Sequence, residues 1–223
     1  NAGKNADVDT LLALLEECAA SVYLSSPRKQ GFRESPLWEV EKSEMSGKLR
    51  NTITALEEKR EDWTTVQLEA KLGITQPFSI DIETEQVPVR GIIDRVDRNS
   101  KGEIRVIDYK SGGGNLSKAD LISGRRLQIA IYAQAAKSFG NVVDGFYWVI
   151  NAKQNPYIKL SNFKYEELEG IDAAYSVLQE HLTRIMHGVR AGEFPPKSPK
   201  GGCPSYCPAA GWCWQYQPGY KAG

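Results

Sequence analysis

Charge of one sign is the first thing missing. Lys and Arg total 28, and Asp and Glu total 28, in 223 residues, so the formal net charge is zero. No global field then draws the molecule to nucleic acid or membrane, and any polyanion site must be a local patch. The balance neither establishes nor excludes DNA as a partner. Long apolar runs are missing too: none approaches the ~18 residues of a membrane span, and the N-terminus lacks a charged segment followed by an apolar one. A soluble, cytoplasmic protein is the expectation. A Gly-x-x-x-x-Gly-Lys-Ser/Thr loop is absent, which excludes a P-loop motor within this stretch. Histidine occurs only at His181 and His187. Six residues apart, the two do not share a helical face well, so a structural or solvent-facing role is expected for both. No internal repeat is present. The chain opens on Asn1-Ala2-Gly3, which reads as a cleavage scar, so a piece of a longer protein is expected. Its length suits one domain, at ~100–200 residues per domain.

What is present concentrates in one stretch, GIIDRVDRNSKGEIRVIDYKSG at 91–112. Two runs rich in Ile and Val flank Asn99, Ser100, Lys101 and Gly102, which is the chemistry of a β-hairpin turn. Strand period puts Asp108 and Lys110 on one face and Tyr109 on the other, and Asp94 can face the same space across the hairpin. Two carboxylates at a sheet edge can hold Mg2+, a hard cation that takes oxygen ligands and keeps waters for a phosphate. A lysine beside them can orient or deprotonate a water and offset charge on a phosphorane-like transition state. The trio suits phosphodiester hydrolysis. A surface ion pair on an ordinary hairpin accounts for the same spacing.

The rest of the chain frames that hairpin. Apolar spacing predicts a helix over 9–24 with Asp9 as its cap, then a polar loop with Pro and Gly. A second helix is predicted over 38–60, with Trp38, Val40, Met45, Leu49, Ile53 and Leu56 as one stripe. Strands are predicted over 64–74, 77–83, 87–96 and 104–110, as a meander of about four. A loose Gly-rich stretch, 111–123, leads to a helix over 125–139 with Leu127, Ile131 and Ala135 on one side. A strand over 142–151, a further strand over 157–160, a long helix over 165–191 and an aperiodic tail complete the pattern. This order implies an α/β fold, a mixed central sheet flanked by helices. One domain is expected, with a helical part at 1–60, a core at 61–165, and a long helix with a Cys-rich tail at 166–223.

The tail, CPSYCPAAGWCWQY, carries Cys203, Cys207 and Cys213 with gaps of three and five residues. Clustered thiols in a chain without a secretion signal point away from disulfides and towards a bound metal or cluster. Zinc takes such ligands readily. Cys18 sits mid-helix in LLEECAAS, where a small apolar core residue is an ordinary occupant.

GIIDRVD, VIDYKSG and LQIAIYA at 127–133 resemble the core motifs of the PD-(D/E)XK nuclease superfamily, in its RecB- and AddB-like branch. A Gly-x-x-Asp strand, an Asp-x-Lys strand and a Gln-x-x-x-Tyr helix follow in the same order. The resemblance implies a restriction-endonuclease-like core and a metal-dependent deoxyribonuclease acting with Mg2+ or Mn2+. It implies that Asp94, Asp108 and the backbone carbonyl of Tyr109 hold the metal, and that Lys110 assists the nucleophile. Glu69, in TTVQLEAKLGI, then completes the site, and Gln128 and Tyr132, which share a helical face, position the DNA strand. Cys203, Cys207 and Cys213 correspond to a triplet that joins a cysteine from near the N-terminus in binding a [4Fe-4S] cluster. The first gap here is three residues where the family usually has two. Tyr206, Trp212, Trp214 and Tyr216 would shield the cluster.

The branch also carries a His on a helix before the strands. Either Asn51 takes its place here, or the His lies ahead of Asn1, and the second alignment fits the helix pattern better. Implied partners are DNA, as single strands or duplex ends, and a helicase domain, in recombination and repair. The alternatives are a catalytically silent DNA-binding or scaffolding module, and a zinc-stapled interaction domain.

Overall fold

A computed structural model describes residues 6–218, apart from 32, 84, 113–116, 155, 157, 197 and 199–201. The chain divides into two compact units, 1–182 and 183–223.

The first unit opens with a helical pair, α1 (Val8–Gln30) and α2 (Pro36–Glu58). The Asp7 carboxylate accepts from the Thr10 amide and caps α1, so Asp9 falls in the first turn instead of at the cap. The helix also outruns the predicted 9–24. Pro27 removes one amide without ending it, and the stop comes at Gly31, whose φ of 75° is the left-handed geometry of a C-terminal cap. Ser35 caps α2, and Pro36 fits its first turn. The predicted α2 stripe is only half right. Trp38 and Leu56 are buried, but Val40 and Met45 are exposed, and Thr52 and Ala55 complete the inward face.

The central sheet has the order β1-β4-β5-β6, from β1 (Thr64–Leu72), β4 (Gly91–Arg98), β5 (Glu103–Lys110) and β6 (Asn141–Val149). Neighbours are antiparallel except β5 and β6, so the sheet is mixed, as predicted. The four-strand meander is not formed. The predicted strand 87–96 is two elements, and β2 (Ser79–Asp81) pairs with β3 (Gln86–Pro88) as a separate hairpin between β1 and β4. Pro88 has no amide to carry a ladder onward, which leaves β1 to pair with β4. In the β4–β5 turn, Asn99 Oδ1 accepts from the amides of Lys101 (3.0 Å) and Glu103 (2.9 Å), and Gly102 takes φ 82°.

After β5, a short α3 (Lys118–Ile122) forms inside the stretch expected to be loose. The helix predicted over 125–139 is α4 (Gln128–Ala136) followed by a 3-10 turn, Lys137–Phe139. Its buried residues are Ile129, Ala130, Tyr132, Ala133, Ala135 and Ala136; of the predicted stripe, Leu127 and Ala135 are buried and Ile131 is half-buried. The strand expected over 157–160 is absent from its described residues, where a 3-10 turn, Leu160–Asn162, begins; residue 157 itself lies outside the described set. A two-residue hairpin, β7 (Lys164–Tyr165) and β8 (Leu168–Glu169), occupies the start of the predicted long helix. α5 therefore runs only from Gly170 to Ala191. Among the described residues no helix is long and apolar enough to cross a membrane.

Strand alternation gives the sheet two differently charged faces. On the α2 side, Ala55 and Leu56 pack with Ile107, Phe146 and Trp148, and Tyr109 lies against them. The same side of β4 and β5 buries Arg95, Asp97 and Arg105. Asp97 is fully satisfied: Oδ1 accepts from Arg95 Nε (2.6 Å) and Thr65 (3.1 Å), and Oδ2 from Arg105 Nε (2.9 Å). The Arg105 guanidinium stacks 4.5 Å from the Trp63 ring, and Arg95 reaches the Tyr109 hydroxyl at 3.4 Å. At the far end of β6, Thr52 Oγ accepts from the Asn151 amide (2.7 Å), which docks α2 on the sheet. On the opposite face, Gly145 leaves room for Leu160 and Ile129; a Cβ there would lie 3.0 and 3.3 Å from them.

Removing one partner from a buried charge cluster strands the others. Asp97→Ala should therefore lower the unfolding free energy by about 3–5 kcal/mol, against about 1 kcal/mol for Thr65→Val, as measured by urea denaturation. Equal effects of the two would contradict this account of Asp97.

Candidate active site

The β4–β5 ladder stops at the Arg95–Ile107 pair, one step short of where Asp94 and Asp108 would face each other. On the other side, the β1–β4 register skips from Leu68–Arg95 to Ala70–Ile93. The omitted residue opposite Asp94 is Glu69, which has φ 50°. Left-handed geometry in a non-Gly residue costs roughly 1–2 kcal/mol, so this kink is held by its surroundings. With the ladder interrupted, Asp94 Oδ2 accepts from the Tyr109 amide at 2.8 Å. Asp94 and Asp108 thus meet across the end of the hairpin. The Tyr109 side chain points the other way, towards Arg95.

Asp108 is 2% exposed, and Lys110 Nζ lies 2.5 Å from its Oδ2. Lys110 thus offsets the charge of the buried Oδ2, for which the described residues supply no other polar partner. Burial raises the Asp108 carboxyl above the ordinary 3.8, Lys110 pulls it back, and facing Asp94 pushes it up again. The lysine is held from the far side by Gln128 Oε1 (2.9 Å), and Gln128 Nε2 donates to the Tyr132 hydroxyl (3.0 Å). Gln128 is half-buried and Tyr132 is 8% exposed, so this pair is a buttress under the lysine. Gly91 makes the buttress possible, because a Cβ there would lie 3.2 Å from the Tyr132 ring and 3.3 Å from its hydroxyl.

A buried oxygen beside a second carboxylate is a donor set that suits a divalent cation such as Mg2+ or Mn2+. Glu69 is not drawn in: its side chain is exposed, and among the described residues no third His, Cys, Asp or Glu joins the two aspartates. Asn51, one substitute for the family's histidine, is exposed and donates to Asn151 (2.8 Å). His181 is buried and bonds the Ile122 carbonyl at 2.8 Å, whereas His187 is exposed, in line with the roles expected for them.

Sequence reasoning missed Tyr147. Its ring centroid lies 4.9 Å from Lys110 Nζ, and burial pushes its hydroxyl up to about 12. The register pairs it with Asp108 on the parallel neighbour strand, a relation that no single-strand pattern reveals.

The cysteines are less ordered towards a function. Cys18 is exposed, contrary to the core position expected, because the outer face of α1 is uncovered. In the second unit, Cys203 is buried and accepts from the Gln217 amide at 3.5 Å, and Cys207 and Cys213 are half-buried. All four thiols are free, and the described residues gather no three of them as ligands.

A mixed sheet flanked by helices, with an Asp-x-Lys strand beside a Gly-x-x-Asp strand, is a restriction-endonuclease-like architecture. The PD-(D/E)XK nuclease superfamily model matches residues 2–214, and the chain belongs to that family. Among its relatives is a subunit of the ATP-dependent helicase/deoxyribonuclease of Thermoanaerobacter sp. (strain X514), 35% identical over 113 residues, which are 47% of this chain and 10% of that protein. Proteins of the same description from Clostridium novyi and Streptococcus equi subsp. zooepidemicus are 32% and 31% identical over 54% and 42% of this chain. These segments cover 11% and 8% of the two proteins, so the chain spans about a tenth of the length of the relatives it matches.

A carboxyl whose folded-state value lies above its unfolded one costs stability once both states are ionised, and the cost disappears as pH falls to the ordinary 3.8. Asp108→Asn should therefore raise the metal-free melting temperature at neutral pH by about 2–4 °C, the effect of ~1 kcal/mol in a chain of this size. Thermal melts across pH should show the gain shrinking as pH falls towards 3.8, and added Mg2+ should stabilise the parent protein more than the variant.

Proposed function

We propose that this chain is a metal-dependent deoxyribonuclease domain that hydrolyses phosphodiester bonds. The observation that carries the reading is the Asp94–Asp108 pair at an interrupted ladder, with Lys110 fixed between Asp108 and Gln128. Asp94 and Asp108 would hold the divalent cation, with the Tyr109 carbonyl as a further ligand. The cation supplies positive charge to the phosphate oxygens as they gain charge in the transition state. Lys110 then has a task of its own: its ammonium orients the attacking water and offsets charge growing at phosphorus. Gln128, braced by Tyr132, fixes the ammonium from the side away from Asp108, and in this reading the half-buried Gln128 also meets the strand being cut. Glu69, at the kink opposite Asp94, is the further candidate residue of the site.

The names of the relatives support a wider setting, in which the domain works beside an ATP-dependent helicase; single strands or duplex ends as substrates, in recombination and repair, are part of the proposal. The iron–sulfur cluster belongs to the proposal only through the spacing of Cys203, Cys207 and Cys213, and no step passes through it. The uncollected Glu69 favours a second reading, a DNA-binding module without cleavage.

One assay separates the two readings. End-labelled single-stranded DNA incubated with the chain and Mg2+ or Mn2+ should be degraded, and Lys110→Ala or Asp108→Ala should slow this by about 100-fold or more. DNA binding with no metal-dependent degradation would establish the silent module instead. Glu69→Gly should divide stability from activity. Relief of the left-handed strain should add about 1 kcal/mol of stability, while cleavage falls; unchanged cleavage would remove Glu69 from the site.

A further inference from the structure

The structure points to a second binding element beside the aspartates, and we propose that it is a phosphate subsite for a phosphate group of the DNA other than the one cleaved. The proposal rests on the nuclease reading and adds Arg125, Arg126 and Tyr147 to it.

A cavity of ≈ 260 Å³ opens next to Lys110, walled by Lys110, Arg125, Arg126, Gln128 and Tyr147, with Gly112 and Leu127 completing it. Three of these side chains are cations and none of the lining residues is a carboxylate. The arginines are set in place by α3. Asp120 meets Arg125 at 2.7 Å and Arg126 at 3.9 Å, and its carboxyl is held below the ordinary range, first by the Ser117 hydroxyl and then by the arginines. The lining is cationic, and the planar forks suit a phosphate better than they suit a base edge. The positive end of α4 opens at the same cavity. Leu127 provides no side-chain cap there. An unstacked base finds no platform there, since Tyr147 is 2% exposed.

The position is as informative as the charge. Lys110 is a wall of the cavity and also touches Asp108 Oδ2, so the subsite and the candidate metal site share one side chain. A strand with one phosphate at Asp94 and Asp108 can set another against Arg125 and Arg126. Two sources offer the same chemistry: the neighbouring phosphodiester of a continuous strand, or the phosphomonoester at a strand end.

The test compares the parent chain with Arg125→Gln/Arg126→Gln, both side chains being accessible enough (60% and 34% exposed) for the fold to tolerate the change; Arg126→Lys keeps the charge and loses the fork. On single-stranded DNA carrying one neutral methylphosphonate, the parent should skip the neutral linkage and one neighbour, whereas the double variant skips the neutral linkage alone. A terminal phosphate as the source would appear instead as about tenfold preference for phosphorylated over hydroxyl ends, lost in the variant. Arg126→Lys should fall between the two proteins. Identical cleavage patterns and end preferences in parent and variant would overturn the subsite. If neither protein cleaves, the nuclease reading fails, and DNA binding still decides the subsite. The slope of log affinity against log salt should shallow by about 0.7 per lost phosphate contact in the variant, and an unchanged slope would overturn the proposal.

Discussion

The β4–β5 ladder ends one step early, and the candidate site depends on that interruption. Had pairing continued, Asp94 and Asp108 would have faced each other as a routine cross-strand pair of like charges, which is unfavourable. Here the Tyr109 amide turns to Asp94, the left-handed Glu69 leaves a gap in the neighbouring ladder, and Asp108 is buried with Lys110 against one oxygen. Like-charge contact and burial of a carboxylate are both unfavourable by themselves. Both are useful where a cation is to be bound.

The same hairpin carries the opposite solution on its other face. Arg95, Asp97 and Arg105 are also buried, yet every oxygen of Asp97 is taken, by two guanidiniums and a hydroxyl. A fully satisfied polar network rigidifies what it joins. This one locks β1, β4 and β5 together directly behind the strained carboxylates, and through Tyr109 it reaches the residue whose amide holds Asp94. The satisfied polar network lies on one face of the strands and the candidate site on the other.

Three short motifs prove to be one mechanical unit. Gly91 is small so that Tyr132 can close over it, Tyr132 holds Gln128, and Gln128 holds Lys110. A side chain at 91 would be transmitted to the lysine through two hydrogen bonds, although residues 91 and 110 belong to different strands. The glycine of the Gly-x-x-Asp pattern therefore has a packing reason here that is independent of turn geometry.

The sequence by itself determined the hairpin, its turn and the shared face of Asp108 and Lys110, because these follow from local period and turn chemistry; the order of elements implied the mixed sheet, and the resemblance of three motifs implied the family. It did not determine the separate β2–β3 hairpin, since strand pairing is a long-range choice that strand composition does not encode. Nor did it determine the end of α1, where propensity competed with Pro27, or the exposure of Cys18, which turns on what covers a helix face. Tertiary structure alone decided that Glu69 stands outside the aspartate pair, that Tyr132 is a buried brace, and that Arg125, Arg126 and Tyr147 surround one cavity with Lys110. Each of those facts is a distance between residues far apart in the chain, set by register and packing, which no single-strand pattern carries.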